Sequence, residues 1–329
     1  MSEQPTGGSS RSARVFVETP GRLHFGVLDP FGCRGRVFAG LGAPAPGPVL
    51  RVSACASDAW CVRGEDAGRA EAFARRFLAA HGLPATGDVQ VHHALPAHAG
   101  LGSGTQLALA VGRALAEVHG LGHDPVVLAE SVGRTRRSSV GIWTFAGGGL
   151  VLDGGRVPGE TRCGPLLARV SLPESWRCVV GIPEAQPGMS GEQEARVLAG
   201  LPAPPRHEVE ALAHLVELRL LPAAREHDFA AFGAALTDVQ EVTGRWFGSA
   251  QGGVYAPGAT ADLVAALRAL GATGVGQSSW GPAVFGFVEG EARGRALAHD
   301  VRRQLGPRGR VYEGPIGAEG ARVWSSSSD

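Results

Sequence analysis

The stretch PAHAGLGSGTQLALAVG, residues 96 to 112, sets Gly100, Leu101, Gly102, Ser103, Gly104 and Thr105 just before an apolar run. Glycine adopts backbone angles closed to other residues and lets a ligand approach the main chain. In the run that follows, Leu107, Ala110, Val111, Ala114, Leu115 and Val118 recur at helical spacing. The loop therefore opens a helix, whose first N–H groups lack intrahelical acceptors and favour phosphate or pyrophosphate. The hydroxyls of Ser103 and Thr105 add donors, or a metal ligand where Mg²⁺ accompanies the anion. The same residues also fit a plain helix cap on a tight turn.

Three further groups could do chemistry. GRTRRSS, residues 133 to 139, holds Arg134, Arg136 and Arg137, either a bidentate phosphate site or a solvated basic turn. Arg22 and His24 alternate with Leu23 and Phe25, so a strand would turn the polar pair one way and the apolar pair to the core. A second glycine-rich segment, GQSSWGPAVFGF at 276 to 287, contains Ser278, Ser279, Trp280 and Gly281.

The elements that must position these groups follow from periodicity. Residues 13 to 29 read as two strands joined at Pro20-Gly21, followed by a Gly/Pro-rich loop and a strand near 49 to 54. A helix from about 67 to 81 precedes a strand at 88 to 94, which feeds the glycine loop. Residues 126 to 134 read as helix, and 138 to 155 as strand with a GG turn. The second half reads as a strand at 177 to 182, helices at 207 to 220, 228 to 244 and 261 to 270, the second glycine-rich turn with its strand, and a last helix and strand. Segregated strands and helices indicate α+β. A proline-rich region at 158 to 173 suits a domain change, giving domains at 13–160 and 161–325 between polar tails at 1–12 and 326–329.

With 329 residues and 44% hydrophobic content, the chain can bury two cores. Formal charge is zero, from 31 basic and 31 acidic residues, so neither nucleic acid nor an anionic membrane is indicated as the main partner. All the basic side chains are arginine, which excludes a lysine nucleophile, Schiff base or phosphate-loop lysine. Five scattered cysteines with no CxxC pair argue against a disulfide framework or a zinc site. The polar N-terminus and the lack of a long apolar run indicate a cytoplasmic protein.

The loop Pro96, Gly100, Leu101, Gly102, Ser103 resembles the second motif of the GHMP superfamily, with Gly104 replacing the usual second serine. Residues 276 to 287 resemble that superfamily's third motif. The resemblance implies an N-terminal domain like the second domain of ribosomal protein S5 and a ferredoxin-like C-terminal domain. In the superfamily's kinases it implies a Mg²⁺-binding glutamate, matched by Glu130, and a carboxylate base, whose position here is Gly141.

PGRLHFGVLD (20–29), GRTRRSSVGIWTFAGGGLVLDGG (133–155), GMSGEQEARVL (188–198) and QGGVYAPG (251–258) narrow the resemblance to the beta-ribofuranosylaminobenzene 5'-phosphate synthase family. It covers most of residues 13 to 324. It implies decarboxylating transfer from phosphoribosyl pyrophosphate to 4-aminobenzoate, or a 4-hydroxybenzoate analogue, in tetrahydromethanopterin biosynthesis, by a homodimer with Mg²⁺ as cofactor.

On that reading the 100–105 loop holds pyrophosphate, and Arg134, Arg136 and Arg137 hold the 5'-phosphate. Arg22 and His24 contact carboxylate or phosphate, His24 having a structural role as its alternative. Asp29 stabilises the cationic transition state, binds metal, or simply caps a turn. Ser103 and Glu130 are the metal candidates. Ser278, Ser279, Trp280 and Gly281 close over the substrates, Trp280 stacking on the ring or filling core.

Overall fold

The computed structural model describes residues 13–33, 35–135, 137–184, 188 and 191–326. Strand β1 (Arg14–Asp29) runs unbroken through Pro20 and Gly21, where the sequence suggests a turn. A register shift between Pro20 and Arg22 absorbs the irregularity, and Arg22 N–H donates to the Leu101 carbonyl at 2.8 Å. The bulge thus turns the strand toward the glycine loop instead of reversing it. Likewise β2 (Ala39–Cys55) extends through the Gly/Pro-rich segment read as loop, pairing antiparallel with β1 from Val15↔Ala54 to Asp29↔Ala39.

β3 (Trp60–Gly64) was not evident from the sequence, and α1 (Ala67–Ala80) follows it. β4 (Gly87–His93) then leads to α2 (Ser103–Val118). Next come α3 (Pro125–Ser131), α4 (Val140–Gly147) and β5 (Leu150–Asp153). The α4 segment reads as strand in the sequence because VGIWTFAG is apolar all round, and a short apolar run has no decisive period. It is a buried helix packed on α2, ended by Gly148 at φ +62°.

The second half begins with β6 (Leu166–Val170), β7 (Trp176–Ile182) and α5 (Gly191–Gly200). α6 (Arg206–Leu215) passes through a π-helical turn, Val216–Leu220, into α7 (Leu221–Glu226), and α8 (Phe229–Gln251) is the long helix. α9 (Ala259–Ala269), β8 (Thr273–Gln277), β9 (Val284–Glu289), α10 (Glu291–Leu305), β10 (Arg310–Pro315) and β11 (Arg322–Ser326) complete the chain.

Among the described residues the strands form two sheets. One is ordered β11-β1-β2-β4-β3, with β5 joining β2 and β6 joining β5; the other is ordered β10-β7-β9-β8. β6 and β11 come from the second half of the chain yet lie in the first sheet, so strands on both sides of residue 160 share it. On β1, Val15 and Val17 turn inward while Phe16 and Glu18 remain partly exposed, the period-two signature.

One apolar core lies between the first sheet and α1 to α4, and another joins the second sheet to α9 and α10. A third runs from Leu23 and Phe25 of β1 to Phe285, Phe287 and the buried face of α8. Edge-on aromatic contacts such as Phe232–Phe287, with ring centres 5.5 Å apart, tie it together. That core fixes β1 and α8 relative to each other, which matters because both line the site.

Candidate active site

A cavity of about 600 Å³ opens where the glycine loop, β1, the 133–138 loop, α5, α8 and the 277–281 turn meet. Its floor is set by backbone approach. Gly100 and Gly102 hold φ of +87° and +69°, where other residues are strained. The Gly100 carbonyl accepts from Arg22 Nη1 at 2.6 Å and from Ser278 Oγ at 2.8 Å, and Ser278 Oγ accepts the His24 N–H at 3.0 Å. This braces β1, the loop and the 277–281 turn as one unit. α2 starts at Ser103, and the Thr105 and Gln106 N–H groups return to the Gly102 carbonyl. Among the described residues the Ser103 and Gly104 N–H groups have no backbone acceptor, the arrangement that receives an anion.

Arg22, Arg69, Arg134 and Arg137 line the cavity, and Glu194 of α5 is the one carboxylate among the described lining residues. Arg69 pairs with Asp66, its Nε at 2.9 Å from both oxygens, and Arg137 pairs with Glu194. Arg134 lies over the Phe73 ring at 5.0 Å, and its buried Nε has no hydrogen-bond partner among the described residues. Burial, then the charges of Arg69, Arg137 and Arg76, push the Arg134 guanidinium down to about 10; burial, against Glu194, does the same for Arg22. Both stay charged at neutral pH, so the cavity is strongly cationic and suits a polyanion.

The sequence candidates therefore separate. Gly100, Gly102, Ser103, Gly104, Thr105, Arg134, Arg137, Arg22, His24, Ser279, Trp280 and Gly281 share the cavity wall. Leu101, fully buried, and Ser278 support it from behind. Arg136 lies outside the described residues. Asp29 is not on the wall: its Oδ1 accepts the Phe31 and Gly32 N–H groups at 3.2 and 2.7 Å, capping the turn after β1. Glu130 is exposed on α3 and does not line the cavity, whereas Ser103 does. Among the described residues no cluster of three or more His, Cys, Asp or Glu could hold a metal ion. At Gly141 an added Cβ would lie 3.1 Å from the Thr105 methyl, a tight contact that Thr105 would have to relieve by a small shift.

Residues not singled out in the sequence complete the wall: Arg69, Glu194, and the α8 stripe Gln240, Thr243, Phe247 and Gln251. The stripe's spacing of three to four was the available signal, since polar side chains interrupt an otherwise apolar helical face. Behind Ser138 lies buried Asp153, which accepts from Ser138 Oγ and Ser139 N–H, both at 2.9 Å, and from Gly155 N–H at 2.8 Å.

Two buried groups have opposed proton preferences. Burial and then Arg22 push the His24 imidazole down to about 3, so it is neutral at neutral pH and adds no positive charge to the cavity. Burial pushes the Asp153 carboxyl up to about 6, against hydrogen bonds from Gly155, Ser138, Ser139 and Gly40. The His24 contribution to stability is present above its ordinary value of 6.5 and lost as pH falls toward 3. The Asp153 contribution is largest below its ordinary 3.8 and lost as pH rises through 6. Between about pH 4 and 6 these slopes, each ~1.4 kcal/mol per pH unit, oppose each other. Urea unfolding across this range should show stability falling with rising pH in His24→Gln and rising with pH in Asp153→Asn. The same sign in both variants would contradict this assignment.

Comparison with known proteins agrees with the architecture. The GHMP kinases N terminal domain matches residues 69–144 and the GHMP kinases C terminal domain matches 220–307. The phosphomevalonate kinase of Streptococcus pneumoniae superposes with a TM-score of 0.69 at 15% identity, covering 92% of this chain and 100% of that one. The fold is thus that of the GHMP kinases, with the glycine loop at the start of α2. Within that class, the chain belongs to the family of the beta-ribofuranosylphenol 5'-phosphate synthases. It is 33% identical to that of Methanothermobacter thermautotrophicus, over 90% of this chain and 94% of the relative. It is 32% identical to that of Archaeoglobus fulgidus, over 84% and 89%. Among the described residues no helix is long and apolar enough to cross a membrane.

Proposed function

We propose that this chain joins the ribose 5-phosphate unit of phosphoribosyl pyrophosphate to the ring carbon of a para-substituted benzoate, with loss of CO₂ and pyrophosphate. The observation that carries the reading is the cavity itself: Arg22, Arg69 and Arg134 reach the N-terminal turn of α2 and Arg137 lines the same wall, while position 141 has no carboxylate to act as a kinase base. A donor with a pyrophosphate and a 5'-phosphate matches so cationic a wall, and the family membership supports a ribosyl phosphate product.

The bond changes need little from the protein beyond placement. The para substituent pushes electrons to the ring carbon bearing the carboxylate, and that carbon attacks C1 of the ribose. The C1–O bond breaks with its electron pair leaving on pyrophosphate. The ring–carboxylate bond then breaks, its pair restores aromaticity, and CO₂ departs. No proton is gained or lost in the transfer, so orientation and charge stabilisation are the demands placed on the site.

In this reading the Ser103 and Gly104 N–H groups, Arg134 and Arg22 receive the leaving pyrophosphate, and Arg137 receives the 5'-phosphate. Mg²⁺ would enter as the counter-ion of the donor's pyrophosphate, not on a cage of protein carboxylates. The family resemblance implies 4-aminobenzoate as acceptor and a cytoplasmic enzyme of tetrahydromethanopterin biosynthesis, and this is the first reading. The phenol in the relatives' names supports 4-hydroxybenzoate as the second reading.

The donor is tested by incubating the protein with either benzoate and phosphoribosyl pyrophosphate or ATP. Pyrophosphate release with the first, and no γ-phosphate transfer with the second, is expected. Phosphorylation of a sugar, homoserine or mevalonate by ATP would overturn the reading in favour of a kinase.

A further inference from the structure

The cavity wall is divided by charge. Its arginines come from β1, α1 and the 133–138 loop, whereas every residue that α8 contributes is uncharged: Gln240, Thr243, Gly244, Phe247 and Gln251. Phe247 stands edge-on to Trp280 with ring centres 5.1 Å apart, and both are only partly buried. An aromatic ring is well received against such a pair.

One turn further along the same face is Gln251. Its Nε2 donates to the Gly253 and Val254 carbonyls at 3.0 and 2.8 Å. Carbonyls only accept, so this settles which end of the amide is nitrogen, and both its hydrogens are used. Oε1 is the atom left over; it has no hydrogen-bond partner among the described residues and is not among the buried unpartnered atoms. Gln240 differs, since its Nε2 donates to the Phe25 carbonyl and its Oε1 accepts the Gln277 N–H at 2.9 Å. Gln251 therefore presents a rigid, neutral acceptor beside an aromatic pair.

We propose that Phe247, Trp280 and Gln251 form the acceptor subsite, in which Gln251 Oε1 selects benzoates whose para group donates a hydrogen bond. The proposal rests on the reaction proposed above. It makes Gln251 a specificity residue, because an amino or hydroxyl substituent satisfies its oxygen and an alkylated one leaves it unpaired.

The test reads equilibrium binding to the full chain by calorimetry, independently of turnover. The probes are 4-aminobenzoate against 4-(dimethylamino)benzoate, and 4-hydroxybenzoate against 4-methoxybenzoate. Gln251→Leu is expected to weaken the two donor-bearing probes by about tenfold and the two alkylated ones by less than about twofold. Phe247→Ala should weaken all four. Equal weakening of all four by Gln251→Leu would mean the side chain only holds the 253–254 turn, and would overturn the proposal, as would no binding of any probe to the unsubstituted chain. Selective binding without phosphoribosyl transfer would overturn the reaction and leave the subsite standing.

Discussion

Gly281→Ala is expected to lower kcat/KM by roughly 100-fold, the order associated with misplacing reacting groups by about 1 Å. The cause is contact between two pieces of backbone. A Cβ at position 281 would lie 2.1 Å from both the Ala99 carbonyl carbon and the Gly100 nitrogen. Neither can swing aside as a side chain end would, so the 277–281 turn and the glycine loop must separate. Gly100 is equally confined, its Cβ position being 2.2 Å from the Ser278 carbonyl oxygen. Separation would break the brace in which Gly100 O receives Arg22 and Ser278. Overpacking of this kind also destabilises by about 1–3 kcal/mol. Gly68→Ala, early in α1 with nothing within 4 Å of its Cβ position, is the control and should be neutral or slightly stabilising. Steady-state kinetics with urea unfolding on both variants checks this. Near-normal turnover in Gly281→Ala would show that the two loops need not touch for catalysis.

Arg134→Met is expected to separate function from stability. The guanidinium is buried beside three other arginines, and its Nε is unpartnered among the described residues, so the fold gains little from its charge. Methionine keeps much of the packing over Phe73 while removing the repelled cation. Stability should hold or rise, whereas on the proposed reaction, in which Arg134 faces the leaving pyrophosphate, loss of that preorganised charge should reduce kcat by about 10²–10³-fold. Arg134→Lys should recover only part of the activity, because an ammonium lacks the planar fork. A fall in stability with turnover intact would assign Arg134 to the fold instead.

What could be read from the chain was what local geometry dictates. The glycine loop before α2 was legible because positive φ and helical periodicity leave separate marks in adjacent residues. Arg22 and His24 were legible through strand alternation, although the bulge at Pro20 that aims them at the loop looks like a turn in one dimension. The α4 run reads as strand in one dimension because it is apolar almost throughout and carries no amphipathic stripe, although Ala146 is exposed in the helix. Glu194 and Arg69 reach the site from helices whose own sequences look like ordinary surface, and only tertiary packing brings them to Arg137 and Gly104. Asp29 and Glu130 have the right chemistry for a catalytic or metal-binding role, and the fold points one at a turn and leaves the other exposed.

The most direct measurement is release of labelled CO₂ from carboxyl-labelled 4-aminobenzoate and, separately, 4-hydroxybenzoate, with purified protein and Mg²⁺, with and without phosphoribosyl pyrophosphate. The account predicts release that requires the donor and is matched by an equal amount of pyrophosphate. No donor-dependent release from either acid would contradict it.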